Sequence, residues 1–159
     1  MTDPVILEIF NILLSRNETL SAAESCTGGW ISKEITSIPG SSSVFWGSAV
    51  SYSNNSKTVL LDVDPLLIEK AGAVSSGVAK SMAWGIKKVS GSDWSISVTG
   101  IAGPGGGTPE KPVGTIWIGI GAPDGKLEAR MFNFKGSRQE IRRKSVIEAF
   151  KMLYKQLDT

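Results

Sequence analysis

The sequence predicts a single-domain α/β fold, a mixed β-sheet with helices covering both faces. Three observations predict it. Helical and strand-like apolar patterns follow one another in the order α-β-α-β-α-α-β-β-β-α. Pro123-Asp124-Gly125 stands between two strand-like runs as a hairpin turn. The 159 residues, 41% apolar and 20% charged, suit one compact domain with its own core. No internal repeat or linker interrupts the pattern.

Each element has a local reason. Between Pro4 and Arg16, Val5, Ile6, Ile9, Phe10, Leu13 and Leu14 recur at helical spacing, and Pro4 suits the first helical position. Thr19 to Ala23 reads as a short strand. A turn over Glu24–Gly28 then opens a helix from about Gly29 to Ser37, stopped by Pro39-Gly40. After Ser41-Ser42-Ser43, Val44 to Tyr52 reads as a strand whose small members Gly47, Ser48 and Ala49 point to close packing or a nearby ligand. Ser53-Asn54-Asn55-Ser56 is a polar turn, and Lys57 to Leu61 a short helical turn. Asp64-Pro65, an N-cap followed by proline, starts a helix to about Lys70. Gly72-Ala73-Val74 lead to a cap at Ser75 or Ser76 and a helix to about Val89. Trp94 to Thr99 alternates as a strand. A glycine-rich run from Gly100 to Pro112 follows. Val113 to Gly121 and Lys126 to Phe134 form the hairpin, and Ser137 caps a last helix to about Leu157.

Composition removes several function classes. The net charge is +2, from 17 basic and 15 acidic residues, too balanced to predict nucleic acid or an anionic membrane as partner. The cluster Arg138, Arg142, Arg143 and Lys144 reads as the solvated face of a helix. The single cysteine excludes an intrachain disulfide, and Asp3 stands where a signal peptide would be basic, so a cytoplasmic location is expected. No apolar run is long enough to span a bilayer as a helix. Trp46, Trp84 and Trp117 are expected in the core, and the sequence leaves homo-oligomerisation open. Histidine is absent, which removes Ser-His-Asp triads, Cys-His dyads and histidine-ligated metals.

Two stretches remain as candidate chemistry. Ser21 to Trp30 places Ser25, Cys26, Thr27, Gly28 and Gly29 on one tight turn that opens a helix. Small residues there let a ligand approach unpaired backbone N–H groups. The context resembles a nucleophile elbow, although the letters are not G-x-S-x-G. Helix capping alone would also explain Ser25 or Thr27. Cys26, with no histidine to activate it, reads as a small buried hydrophobe. Glu24 could orient a lysine, or simply pair with the helix N-terminus. The second stretch, Gly100 to Pro112, fits neither a dinucleotide fingerprint, since Thr108 breaks G-x-G-x-x-G, nor a P-loop, since Gly106 replaces the lysine. It reads as a loop whose bare N–H groups face an anion, or as a mobile surface loop.

A serine nucleophile without histidine needs another base, and a lysine of depressed pKa is the physical alternative. No S-x-x-K occurs. Lys57 and Lys111 are the candidates, and the residues alone do not choose between them. Asp62 and Asp64 form a weak carboxylate pair, with Asp64 already reading as a cap.

These motifs resemble the CinA C-terminal domain family: Glu24-Ser25-Cys26-Thr27-Gly28-Gly29, Pro39-Gly40-Ser41-Ser42, Val50-Ser51-Tyr52-Ser53-Asn54 with Lys57, Gly72-Ala73-Val74-Ser75, Val98 to Gly106, and Glu110 to Thr115. The resemblance runs from about Val5 to Leu157. It implies a nicotinamide-nucleotide amidase of pyridine-nucleotide salvage, which converts nicotinamide mononucleotide to nicotinic acid mononucleotide and ammonia. Longer relatives carry an extra N-terminal molybdopterin-binding-like domain, for which this chain has no room. By motif, Ser25 is the implied nucleophile and Lys57 its base, assisted by Tyr52. Thr27, Gly28, Gly29, Ser42, Thr99, Gly100, Gly103, Gly105, Gly106 and Arg142 are the implied substrate contacts, Arg142 meeting the phosphate. N–H groups at the Cys26–Gly29 helix start would hold the oxyanion. The scheme calls for a small-molecule nucleotide and for no metal or cofactor. Asn55 and Ser56 depart from the expected acid and alanine beside Lys57.

Overall fold

Short-range chemistry starts most of the helices where the sequence says it should. Asp3 accepts a hydrogen bond from Val5 N ahead of Pro4, and helix α1 runs Pro4–Arg16. The structure is a computed structural model that describes residues 1–159. Strand β1 (Leu20–Glu24) leads into α2 (Trp30–Thr36), then a 3-10 turn at Ser41–Ser43 and β2 (Phe45–Val50). Three helices follow, α3 (Asn54–Leu61), α4 (Pro65–Ala71) and α5 (Ser76–Ser90), capped by Ser53, Asp64 and Ser75. Strands β3 (Trp94–Gly100), β4 (Thr115–Gly121) and β5 (Leu127–Asn133) precede α6 (Arg138–Leu157), which a reciprocal Ser137–Glu140 capping box begins.

Four of the boundaries that differ from the sequence reading have a local backbone reason. Gly29 sits at φ 99°, so α2 starts at Trp30. Helix α3 starts at Asn54 because the Ser53 hydroxyl accepts from Ser56 N; β2 accordingly ends at Val50, before Tyr52. Strand β4 begins at Thr115 because Gly114 turns at φ 95°, where a Cβ would lie 1.9 Å from Phe134 O.

The sheet order is β2-β1-β3-β4-β5. Strands β2, β1 and β3 are parallel, and β4 and β5 add as the antiparallel hairpin. One face carries α1, α2 and α6 over a cluster that includes Ile9, Leu13, Ile96, Val98, Ile118 and Phe150. The other carries α3, α4 and α5 over Ala23, Leu61, Val63, Ile68, Met82 and Ile86. Ala22 and Ala23 thus point to opposite cores, and all five residues of β1 are buried.

Helix α5 lies unusually close to the sheet. Ser95 and Ser97 Oγ donate to the carbonyls of Ala83 and Ala79, which satisfies the buried hydroxyls. Gly119 pairs with Ser97; a Cβ there would meet Ser97 Oγ at 2.4 Å.

None of the three tryptophans expected in the core is a core residue, and Trp117 on β4 is half-buried and belongs to neither apolar cluster. Trp46 is 52% exposed on edge strand β2, where the register slips between Leu20 and Ser21 and skips it, and Trp84 is 43% exposed on α5. No helix is long and apolar enough to cross a membrane.

The helix after β1 covers one face and the helices after β2 cover the other. With the order β2-β1-β3, that reversal puts the switch point between β1 and β3, at whose carboxyl ends ligands of such sheets bind.

Candidate active site

Ser25 is the first residue past β1. Its N–H donates to Val98 O at 3.0 Å, and Ser51 N donates to Glu24 O at 2.8 Å, so the ladder fixes the end of β1 on both sides. The chain then turns sharply, with Gly28 N donating to Ser25 O at 3.1 Å. Gly28 and Gly29 make this turn at φ 58° and 99°, a region that favours glycine.

The Glu24 carboxylate, fully buried, accepts from Ile31 N at 2.9 Å, Ser32 N at 3.3 Å and Ser32 Oγ at 3.1 Å. It therefore occupies the N-terminus of α2, the place where charge of its sign is favoured. The expectation of oxyanion donors at that helix start needs correction: residues 26–29 form a turn, and the helix end is already filled by Glu24. The N–H groups of Cys26, Thr27 and Gly29 have no main-chain acceptor. Thr27 Oγ1, buried, has no partner either.

Lys57 arrives from α3. Only 1% of it is exposed. Its Nζ lies 3.1 Å from Ser25 Oγ, 2.9 Å from Ser51 O and 3.3 Å from Tyr52 O. Burial holds its pKa below the usual lysine value, and the Coulombic influence of Cys26 offsets this only in part. The other candidate, Lys111, donates to Ala71 O at 2.6 Å and ties the glycine loop to α4. Cys26 is a buried thiol whose pKa desolvation pushes up to about 12, so it stays protonated near neutrality.

Ser25 and Lys57 line a cavity of about 220 Å³ together with Tyr52, Thr99, Gly100 and Arg138. Thr99 Oγ1 donates to Ala73 O at 3.0 Å, which holds the neighbouring wall. Tyr52 is 60% exposed and its hydroxyl accepts from Arg138 Nη2 at 2.9 Å, while Arg138 Nη1 donates to Gly103 O at 2.8 Å.

The remaining residues named from sequence lie elsewhere. Gly103 touches the site through its carbonyl, Gly105 and Gly106 are exposed beyond the lining, and Ser42 is exposed on the 3-10 turn. Gly28 and Gly29 face a separate depression of about 360 Å³ with Trp30 and Arg142. Arg142 lies outside the cavity and donates to the carbonyls of Cys26 and Thr27. Asp64 caps α4 and Asp62 pairs with Lys88 on the surface.

From the sequence alone Arg138 belongs only to a solvated basic cluster. The signal that could have found it is its spacing of one helical turn from Arg142, which puts both on one face of α6.

Residues 2–157 match the CinA C-terminal domain. A CinA-like protein of Desulfotalea psychrophila is 52% identical over 145 residues, covering 91% of this chain and 35% of that protein. A CinA-like protein of Synechocystis sp. is 43% identical over 159 residues, covering 99% of this chain and 38% of that protein. The chain thus spans well under half the length of these relatives. The crystal structure of the competence/damage inducible protein CihA from Agrobacterium tumefaciens superposes with a TM-score of 0.91 at 35% identity, over 100% of this chain and 99% of that one. The competence damage-inducible protein A (ComA) from Klebsiella pneumoniae gives a TM-score of 0.93 at 29% identity, over 97% and 95%. In sequence over nearly its whole length and in fold, the chain belongs to the CinA C-terminal domain family.

Proposed function

We propose that this domain hydrolyses the carboxamide of nicotinamide mononucleotide to nicotinic acid mononucleotide and ammonia, with Ser25 as nucleophile and Lys57 as base. The observation that carries the reading is the buried 3.1 Å contact between Lys57 Nζ and Ser25 Oγ. A neutral amine has two N–H donors and one lone pair. The carbonyls of Ser51 and Tyr52 accept the two N–H bonds, which leaves the lone pair for the Ser25 hydroxyl. Burial favours that neutral form.

Ser25 Oγ attacks the carboxamide carbon while Lys57 takes the hydroxyl proton. The oxyanion meets the N–H of Cys26, a cavity-lining residue whose N–H has no main-chain acceptor. Collapse breaks the C–N bond, and Lys57 returns the proton to the departing ammonia. Lys57 then deprotonates a water that attacks the acyl-serine, which frees the acid and restores Ser25.

The cavity of about 220 Å³ is smaller than the ~300–1,000 Å³ usual for whole-ligand sites. It would hold the reacting pyridine carboxamide and leave the sugar phosphate outside. Arg138 is the cation available to that end, beside Gly100 and Gly103.

Ammonia release from the mononucleotide tests the reading. The wild-type chain is expected to release it, and Ser25→Ala to lose at least roughly a thousandfold in rate while staying folded. A wild-type chain that binds the mononucleotide without releasing ammonia would instead be a binding domain.

A further inference from the structure

We propose that Arg142 is a positioning residue that sets the nucleophile turn, in place of the phosphate contact expected from sequence; the proposal rests on the role given to Ser25. Arg142 Nε donates to Cys26 O at 2.9 Å and Nη2 donates to Thr27 O at 3.1 Å, so one planar fork spans two consecutive peptide units. The same guanidinium lies over the Trp30 ring, 5.4 Å from its centroid. Helix α6 holds it steady, because Ile141, Ser145 and Val146 beside it are buried.

Peptide units are planar and trans, so fixing a carbonyl oxygen fixes the N–H across the same bond. The Thr27 carbonyl shares its unit with Gly28 N–H, which donates to Ser25 O at 3.1 Å. Restraint therefore passes from Arg142 through one peptide plane to the main chain of Ser25. The Cys26 carbonyl shares its unit with Thr27 N–H, one of the donors in the turn without a main-chain acceptor. A Cβ on Gly28 would lie 3.3 Å from Arg142 Nη2, so the turn and the fork leave each other little slack. Glu24 fixes the far end of the turn through Ile31 and Ser32. A lysine at 142 could reach one carbonyl but could not bridge both.

The test compares wild type, Arg142→Lys, Arg142→Ala and, as a control on the exposed side of α6, Arg143→Gln. Two rates are measured: ammonia release, resolved into kcat and KM, and covalent modification of Ser25 by an aryl sulfonyl fluoride, followed by mass spectrometry. Arg142→Lys is expected to lower kcat by roughly tenfold to a hundredfold, as for a misplaced reacting group, with KM within about twofold. Sulfonylation of Ser25 should slow in parallel, and added guanidinium ion should partly restore both rates in Arg142→Ala. Arg143→Gln should match wild type. A stabilising role alone would reduce the amount of folded protein and leave both rates per folded molecule intact; that result overturns the proposal. An effect confined to KM overturns it too, by returning Arg142 to substrate binding. A wild-type chain that is sulfonylated at Ser25 yet releases no ammonia contradicts the substrate reading alone, and the labelling rates still decide the role of Arg142. If Ser25 is inert in wild type, both fall.

Discussion

A lysine amine that is 1% exposed must find a counter-charge or give up its proton, and no carboxylate makes an ion pair with Lys57. The nearby acid, Glu24, is committed to the N–H groups of α2. This has a consequence for stability. Burial lowers the Lys57 pKa in the folded chain, while the unfolded chain keeps the usual lysine value. Between those two values the unfolded state binds the extra proton, so wild-type stability rises with pH there. The advantage of Lys57→Met over wild type should be greatest below the lowered pKa and shrink toward the usual lysine value. Urea unfolding at a series of pH values measures it, and a pH-independent difference would mean that Lys57 is not desolvated. At this scale the missing histidine made a lysine base legible in the sequence. The choice of Lys57 over Lys111 was not, because it depends on where the end of β2 delivers a residue several positions on. Arg138 and Arg142 were equally ambiguous, since they share one helix face and differ only in what each reaches.

The element that bears most directly on the site is α5, because α3, which carries Lys57, rests on it. Gly85 is the point of contact: a Cβ there would lie 2.1 Å from Leu61 O, the last residue of α3. Helix propensity alone would make Gly85→Ala stabilising by about 1 kcal/mol. Overpacking against a backbone atom costs about 1–3 kcal/mol, and at 2.1 Å the clash should win. Gly85→Ala is therefore expected to lower the denaturation midpoint; a higher midpoint would show that α3 can move aside freely. Element starts were legible where a cap or a first-turn proline marks them, as at Pro4, Asp64 and Ser137. They were not where a contact distant in sequence decides, as at Gly114, whose close approach to Phe134 delays β4.

At the scale of the whole molecule, the strand order puts the switch point between β1 and β3: the serine follows β1, Thr99 and Gly100 end β3, and Lys57 comes from the helix after β2. The alternation of elements made an α/β sheet legible, but the order β2-β1-β3, which leaves β2 at an edge with Trp46 exposed, depends on contacts distant in sequence. The end of β3 supplies Thr99 and Gly100 to the cavity and the glycine loop supplies Ala102, while most glycines of the loop stay exposed. Activation of Ser25 by a neutral Lys57 is tested most directly by the pH profile of kcat/KM for ammonia release from nicotinamide mononucleotide. The rate should climb with pH and level off at a single pKa below the usual lysine range. Lys57→Arg, which keeps the charge but cannot act as a base, should lose roughly a hundredfold to ten-thousandfold at every pH. A profile without that limb, or a Lys57→Arg chain with wild-type turnover, would contradict it.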